Sequence, residues 1–325
     1  MKSSHKTIIL LSGLILVSLL PLFLEKFHIY LLTEVMIYAV LGVSFYLLLG
    51  HTGFLSMGHA AYFGLGGYTT AFCLYYAPAI PLPVAMLLGA LTGLLSGLII
   101  GALLLRLTKI YYSFATLAFS QMLWASAWKW RSLTGGDDGL TGWSSRQVTL
   151  PFLGTFGLSD VNFIYYLVFF IALTSILLCW YFIKTPLGNT LASIKSNTNR
   201  AGFLGINTAM AKLMLFTFSG LIAGTAGSLF ILFKKMASPN FLDMFTSFDV
   251  VVLSVVGGYS SFAGPLIGSF VHVYMVEYLS SFTERWQLIM GLFFMMVILF
   301  FSGGLVGLFR RLSKKLLSLK RTGAS

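Results

Sequence analysis

The chain has 325 residues, of which 58% are hydrophobic and 9% charged, and its mean hydropathy is +0.90. Soluble globular domains carry roughly a quarter charged residues, so this composition excludes a water-soluble enzyme or binding module and indicates a polytopic membrane protein. The formal net charge of +12 needs no nucleic-acid partner, because the charges sort by side of the membrane.

A hydrocarbon core of about 30 Å takes roughly 20 helical residues to cross. Apolar runs of suitable length occur at 8–24, 30–49, 59–77, 83–105, 110–128, 161–183, 211–233 and 286–302, and a further region, 249–280, is interrupted by "GGYSSFAG". Uninterrupted apolarity argues for helices, since barrel strands show segments of about 10 residues with alternating polarity. The opening stretch "MKSSHKTIILLSGLILVSLLPLF" has the basic-then-apolar order of a signal peptide. The bulky "PLFLEKFH" that follows offers no small-residue cleavage site, so it is read as a first spanning helix.

If the N-terminus is cytoplasmic and each run crosses once, the inside segments are the N-tail, 106–109, 184–212 and the tail after 309. These hold 14 of the 21 basic residues and none of the 9 acidic ones, the asymmetry expected of cytoplasmic loops. Residues 234–283 must then cross an even number of times, which a re-entrant pair of short helices broken at Gly257 and Gly258 satisfies. The expected architecture is all-α, with about eight full spanning helices plus glycine-interrupted short or re-entrant helices in two pseudo-symmetric halves. It forms one transmembrane domain over 1–325, with an external loop at 131–160, a cytoplasmic coupling segment at 184–212 and a basic cytoplasmic tail at 310–325. The tail, "RRLSKKLLSLKR", suits an anionic leaflet, so membrane lipid is an expected partner.

The stretch "GHTGFLSMGH" between two apolar runs is costly in lipid unless protein or water satisfies it. Glycine-interrupted elements at 50–68 and 256–270 mark a candidate transport site. Gly50, Gly53 and Gly58 would let the backbone leave helical geometry, and His51, Thr52, Ser56 and His59 would face a polar pathway. The alternative is a short cytoplasmic loop with glycines as turn residues. The corresponding candidates in the second half are Gly257, Gly258, Tyr259 and Ser260. Glu34 and Glu277 fall near the outer ends of their helices, His272 reads as a packing residue, and Asp249 reads as the cap of the helix beginning "VVVLSVV". Small-xxx-small steps at Gly93, Gly97 and Gly101 predict close helix packing.

In 184–212, Pro186 opens a helix, Leu187, Leu191, Ile194 and Leu204 supply apolar anchors, and Gly205 closes the segment. Such short amphipathic helices dock in a partner's groove or lie on the inner leaflet, where Lys195 and Arg200 would anchor them. The loop "SLTGGDDGLTGW" suits an interfacial loop or a solvated turn with Trp143 in the aromatic belt, and lacks the 12-residue calcium pattern. Cys73 and Cys179 have no redox or zinc spacing, and no metal site, cofactor or enzyme active site is expected.

The block "LGVSFYLLLGHTGFLSMGHAAYFGLGGYTTA" resembles the signature of inner-membrane permeases of branched-chain amino-acid ABC importers, particularly the M-type subunit. "YYSFATLAFSQMLW" with "LTGGDDGLTGW", then "TPLGNTLASIKSNTNRAGFLGINTAMAKLMLFTFSGLIAGTAGSLF", then "SPNFLDMFTSFDVVVLSVVGGYSSFAGPLIGSF" continue the likeness in the family's order from about residue 30 to 308. Urea permeases share these blocks. The resemblance implies a homologous H-type permease beside this chain, two cytoplasmic ATPase subunits that bind the ATP, and an extracytoplasmic substrate-binding protein, all at a bacterial inner membrane with both termini cytoplasmic. The absence of a G-x-x-x-x-G-K-[ST] element agrees with a separate motor. Gly53, Gly58, Tyr62, Tyr68 and Ser56 would line the passage, the last three meeting the cargo's polar groups. Pro186, Leu187, Gly188, Leu191, Ile194, Lys195, Arg200, Leu204 and Gly205 would form the ATPase-coupling surface. One departure is that the turn "SNTNRAG" lacks the acidic residues usual in the family. An ion-coupled transporter using Glu34, Asp249 or Glu277 is the alternative from another class.

Overall fold

A computed structural model of the chain describes residues 17–143, 147–150, 154–300, 303–309 and 311. Most of the expected first span and the basic tail lie outside the described residues. The remaining runs become helices within a few residues of their expected limits. These are α1 (Lys26–Thr52), α2 (His59–Tyr76), α3 (Leu82–Leu104), α4 (Lys109–Lys129), α5 (Val161–Lys184), α8 (Thr208–Lys234) and α11 (Trp286–Phe300). The interrupted region forms α9 (Met244–Gly257) and α10 (Gly264–Phe282), and the 184–212 segment forms α6 (Pro186–Ser196) and α7 (Thr198–Phe203). The molecule is an all-α polytopic membrane protein. By length and apolarity α1, α3, α5 and α8 qualify as spans. Helices α2, α4 and α10, of 18, 21 and 19 residues, have spanning length but carry more polar side chains.

Local chemistry sets the boundaries. Gly53 takes φ +72° and returns its N–H to the Leu49 carbonyl, closing α1 in the left-handed conformation that glycine adopts without strain. Helix α5 starts on Asp160, whose carboxylate accepts the Asn162 N–H at 3.0 Å, and stops at Thr185, held extended by the proline that opens α6. Asn197 caps α7 through the Arg200 N–H, and Asn207 caps α8 through the Met210 N–H, both at 3.0 Å. Asp243, not Asp249, caps α9, accepting the Met244 N–H at 2.6 Å and the Gln121 Nε2 at 3.2 Å. Asp249 instead sits in the second turn of that helix. The continuous apolar run begins only at Val250, whereas the helix already starts at Met244, in the mixed segment "MFTSF".

The central pair is α1 and α8, in which 78% of the apolar window is buried, against 44% for α3 and α5. The two halves exchange partners across this pair. Helices α2 and α3 of the first half lie on α8, whereas α9 and α10 of the second lie on α1. Gly93 shows why the α3–α8 contact needs small residues: a Cβ built there would lie 2.7 Å from the Gly224 Cα. This exchange equates α1 with α8, α2 with α9 and α3 with α10. The element equivalent to 53–58 is therefore 235–243, not the 258–263 turn expected from glycine content.

Both equivalent elements are irregular entries into the bundle. Gly58 packs on the Thr116 carbonyl, seven residues into α4 and so roughly 10 Å from its start. Ser120 of α4 donates to the Leu242 carbonyl at 2.7 Å, which puts the Pro239–Leu242 turn deeper still, roughly 16 Å along the same helix. Helix α9 runs from that depth to the 258–263 turn, which lies near Tyr46 through the Phe262 ring at 5.9 Å, and α10 returns. The even crossing number is met by a descending strand plus short helix, followed by one full helix.

The ends differ in charge. Lys195 Nζ donates to the Gly50 carbonyl at 2.7 Å, and a Cβ on Gly53 would lie 3.3 Å from Lys109 Nζ, so 50–53, 106–109 and 184–212 share one basic end. At the opposite end β1 (Leu140–Thr141) pairs with β4 (Met236–Ala237), β2 (Gln147–Leu150) with β3 (Gly154–Gly157), and Tyr76 donates to the Leu133 carbonyl at 2.9 Å.

Candidate translocation pathway and coupling surface

The 53–58 break is satisfied by protein. Phe54, Ser56 and Gly58 are buried, and Ser113 Oγ donates to the Leu55 carbonyl at 2.6 Å. The Ala60 N–H, one of the free amides at the start of α2, donates to Ser247 Oγ in the first turn of α9 at 2.9 Å, so the N-terminal ends of α2 and α9 meet inside the bundle.

His59 is fully buried, with Nε2 2.7 Å from Ser44 Oγ. When that hydroxyl donates to the Leu41 carbonyl at 2.6 Å, Nε2 is the donor to it; the other tautomer reverses the roles. Nδ1 has no partner among the described residues. The hydroxyls of Ser56, Tyr112 and Tyr62 lie beside one another, none in full hydrogen-bonding geometry, and that of Tyr68 is likewise buried without a partner among the described residues. His51 closes edge-on against Tyr46 at the last turn of α1. The structure therefore brings Ser56, Gly58, His59 and Tyr62 together as a sealed polar seam. In the second half Gly257 is buried against Gly264, whereas Tyr259 and Ser260 are exposed at the turn.

An open polar cavity lies elsewhere. A volume of about 190 Å³ is lined by Glu34 and Tyr38 of α1, Lys234 of α8, Asp249 of α9, His272 and Glu277 of α10, and Trp286 of α11. Lys234 Nζ is 2.8 Å from Glu34 Oε1, and His272 Nε2 is 3.8 Å from Asp249 Oδ1. The sequence reading weighed these ionisable residues singly, each on its own helix. Their convergence depends on the partner exchange between halves, which no local pattern displays. The available signal was the number of acids falling in apolar runs that share one side.

On the 184–212 segment, Leu191 and Ile194 are buried against the bundle, and Gly188 is buried on the Ile183 carbonyl where no side chain fits. Leu187 is partly buried in the same core, and Pro186 sits in the first turn of α6. These residues seat α6. The outward surface is the end of α7, where Phe203 is 91% and Leu204 75% exposed beside Arg200 and Gly205, the latter at φ +79°. Phe203 was not singled out from the sequence, although an aromatic residue next to Leu204 in a polar turn was the available sign. Partial burial, and secondly the charge of Lys109, lower the Lys195 pKa. No group of His, Cys, Asp and Glu among the described residues has metal-holding geometry.

An all-helical bundle with in-membrane breaks, a polar cavity and a basic end bearing an exposed apolar tip has the form of a transport permease. The family described as "Branched-chain amino acid transport system / permease component" matches residues 27–302, and the chain belongs to it. The "High-affinity branched-chain amino acid transport system permease protein LivM" of Escherichia coli (strain K12) is 25% identical over 273 residues, 76% of this chain and 62% of that protein. The "Probable branched-chain amino acid transport permease protein LivH" of Methanocaldococcus jannaschii is 27% identical over 195 residues, 60% of each chain. The aligned part of this chain thus spans 62% of the length of the LivM relative. No solved structure matches the chain.

Proposed function

We propose that this chain is the membrane-spanning permease subunit of an ABC importer that passes a small amino acid inward, a branched-chain one first among candidates. Separate subunits would hydrolyse the ATP. The family match over 27–302 carries the proposal, and the exposed Phe203–Leu204 tip on a helix seated in the bundle supports the coupling role. An ATPase groove holding that tip would move α6, and the Lys195–Gly50 hydrogen bond ties α6 to the end of α1 and so to the 53–58 break. A homologous H-type permease, two cytoplasmic ATPases and an extracytoplasmic binding protein complete the machine in a bacterial inner membrane. The basic end faces the cytoplasm, in keeping with the positive-inside bias, and the same charge sorting in the sequence assigns both termini to the cytoplasm. Cargo arriving from the binding protein would meet the acidic half first, and ATP-driven closure at the basic end would switch its exposure.

The experiment is reconstitution of the complete complex in liposomes, with uptake of labelled leucine followed with and without ATP. ATP-dependent leucine uptake, competed by isoleucine and valine and not by urea, is the expected result. Competition by urea alone would move the cargo to the urea branch. A second reading, ion-coupled transport, is favoured by the gathering of Glu34, Asp249 and Glu277 in one cavity. It predicts uptake by the isolated chain under an ion gradient without ATP.

A further inference from the structure

We propose that the cavity between α1, α9, α10 and α11 is the subsite that holds the ammonium group of a zwitterionic cargo in transit, with Asp249 and Glu277 as its acceptors. The inference rests on the amino-acid reading above and names where that cargo is held.

The charge balance is the first argument. Three carboxylates and one ammonium line the cavity. Lys234 and Glu34 neutralise each other at 2.8 Å, which leaves Asp249 with only the His272 ring at 3.8 Å and Glu277 with no charge partner among the described residues. Carboxylates left uncompensated at membrane depth are expensive and face a partner or a pathway. An ammonium group entering the cavity offsets one of these two charges and can donate hydrogen bonds to both carboxylates.

The second argument is position. His272 is 5% exposed and lines the cavity, with its Nε2 edge 3.8 Å from Asp249 Oδ1. His272 lies ten residues before the end of α10, roughly 15 Å along the helix. The cavity therefore runs from Glu277 and Trp286 near the outer end to His272 about halfway along α10.

Size and lining fit the same ligand. A volume of about 190 Å³ exceeds the roughly 150 Å³ in which an engineered cavity holds benzene. Val276 and Trp286 give the cavity an apolar wall for an aliphatic side chain. The Lys234 side chain, 28% exposed while paired with Glu34, remains available to the cargo's carboxylate. An inorganic cation would satisfy the two acids but leave the apolar wall unused.

The test uses the complete complex in liposomes. Asp249→Asn with Glu277→Gln should lower leucine uptake about tenfold or more, the scale of losing hydrogen bonds to a charged group, and Asp249→Glu should restore part of the loss in the Glu277→Gln background. Absence of amino-acid uptake by the unaltered complex would sink the transport reading itself. Leucine uptake by the unaltered complex, matched by the double variant, overturns the subsite alone. A second measurement does not depend on those variants assembling. With Val276→Cys, alkylation at that position, followed by mass spectrometry of its peptide, should be slowed by leucine and not by its deaminated analogue isocaproate or by sodium. Equal slowing by sodium would assign the cavity to an inorganic cation, and no slowing by leucine would empty it of cargo; either result overturns the proposal.

Discussion

Two polar regions of the bundle differ in how their backbone and charged groups are satisfied. At 53–58 the freed backbone groups described above find protein, although the Ser56 hydroxyl and His59 Nδ1 do not: the Leu55 carbonyl meets Ser113, the Ala60 amide meets Ser247, and Gly58 lies against the Thr116 carbonyl. Around Asp249, Glu277 and His272 the polar atoms face a cavity and are only partly answered. The first pattern is that of a structural joint, where the backbone is held by other backbone and by short hydroxyl side chains. The second is that of a surface prepared for something that comes and goes. Both contain polar residues in an apolar sequence, so polarity alone does not tell joint from binding surface; the partners do.

The largest test of the joint is steric. A Cβ at Gly58 would overlap the Thr116 carbonyl, and neither backbone can yield without moving α4. Gly58→Val is expected to abolish assembly of a monodisperse complex, read by size-exclusion chromatography after extraction. The same substitution at Gly291, where nothing lies within 4 Å, should be tolerated. Normal assembly of Gly58→Val would break the contrast drawn between joint and cavity.

Next in size is the coupling tip. Phe203→Asp with Leu204→Asp removes exposed apolar surface without touching the buried Leu191 and Ile194 that seat α6. The permease pair should still form, while the ATPases co-purify at least tenfold less, the scale of losing hot-spot side chains at an interface. Retained ATPase binding would return the segment to its other reading, a helix resting on the inner leaflet.

The sequence made the helical scaffold legible because apolar runs of spanning length leave few alternatives in lipid, and the predicted limits of α3 and α5 differ from the observed ones by a residue at each end or less. Gly53 and Pro186 were also legible, since each acts locally, one through a positive φ and one through a missing N–H. The symmetry was misaligned by one element because glycine content was compared instead of packing. The descending 235–243 segment, "KMASPNFLD", carries no glycine, and reaches the same kind of depth through Pro239 and the Asp243 cap. The cavity was illegible for a related reason. Glu34 and Glu277 are 243 positions apart in the sequence, and only the crossing of the halves sets α10 on α1.

A smaller effect is expected where the two halves touch. Ser247→Ala removes the acceptor of the Ala60 amide and leaves that N–H buried, at a destabilisation of about 1–3 kcal/mol. The thermal midpoint of the purified complex should fall, while Ser247→Thr, which keeps the hydroxyl, should recover most of it. An unchanged midpoint would mean that water reaches the joint after all, and the distinction between the two regions would lose its basis.

The smallest effect concerns the tie between coupling helix and joint. Lys195 donates to the Gly50 carbonyl, and partial burial, with Lys109 nearby, lowers its pKa from the ordinary lysine value. A lowered pKa means that the charged form is disfavoured in the folded protein, so the neutral amine appears at lower pH than on an ordinary exposed lysine. Stability therefore gains slightly as pH rises from the folded to the unfolded pKa of this group, because the unfolded chain binds the extra proton. The charge-assisted character of the bond to Gly50 fades over the same window. Competitive acylation across an alkaline pH series, quantified at the Lys195 peptide, should show a reactivity midpoint below that of a reference lysine peptide in solution. In a Lys109→Gln variant the midpoint should move part of the way back and not the whole way, since burial is the larger cause. A complete return would make the neighbouring charge the dominant influence, and would place Lys195 in water instead of against the end of α1.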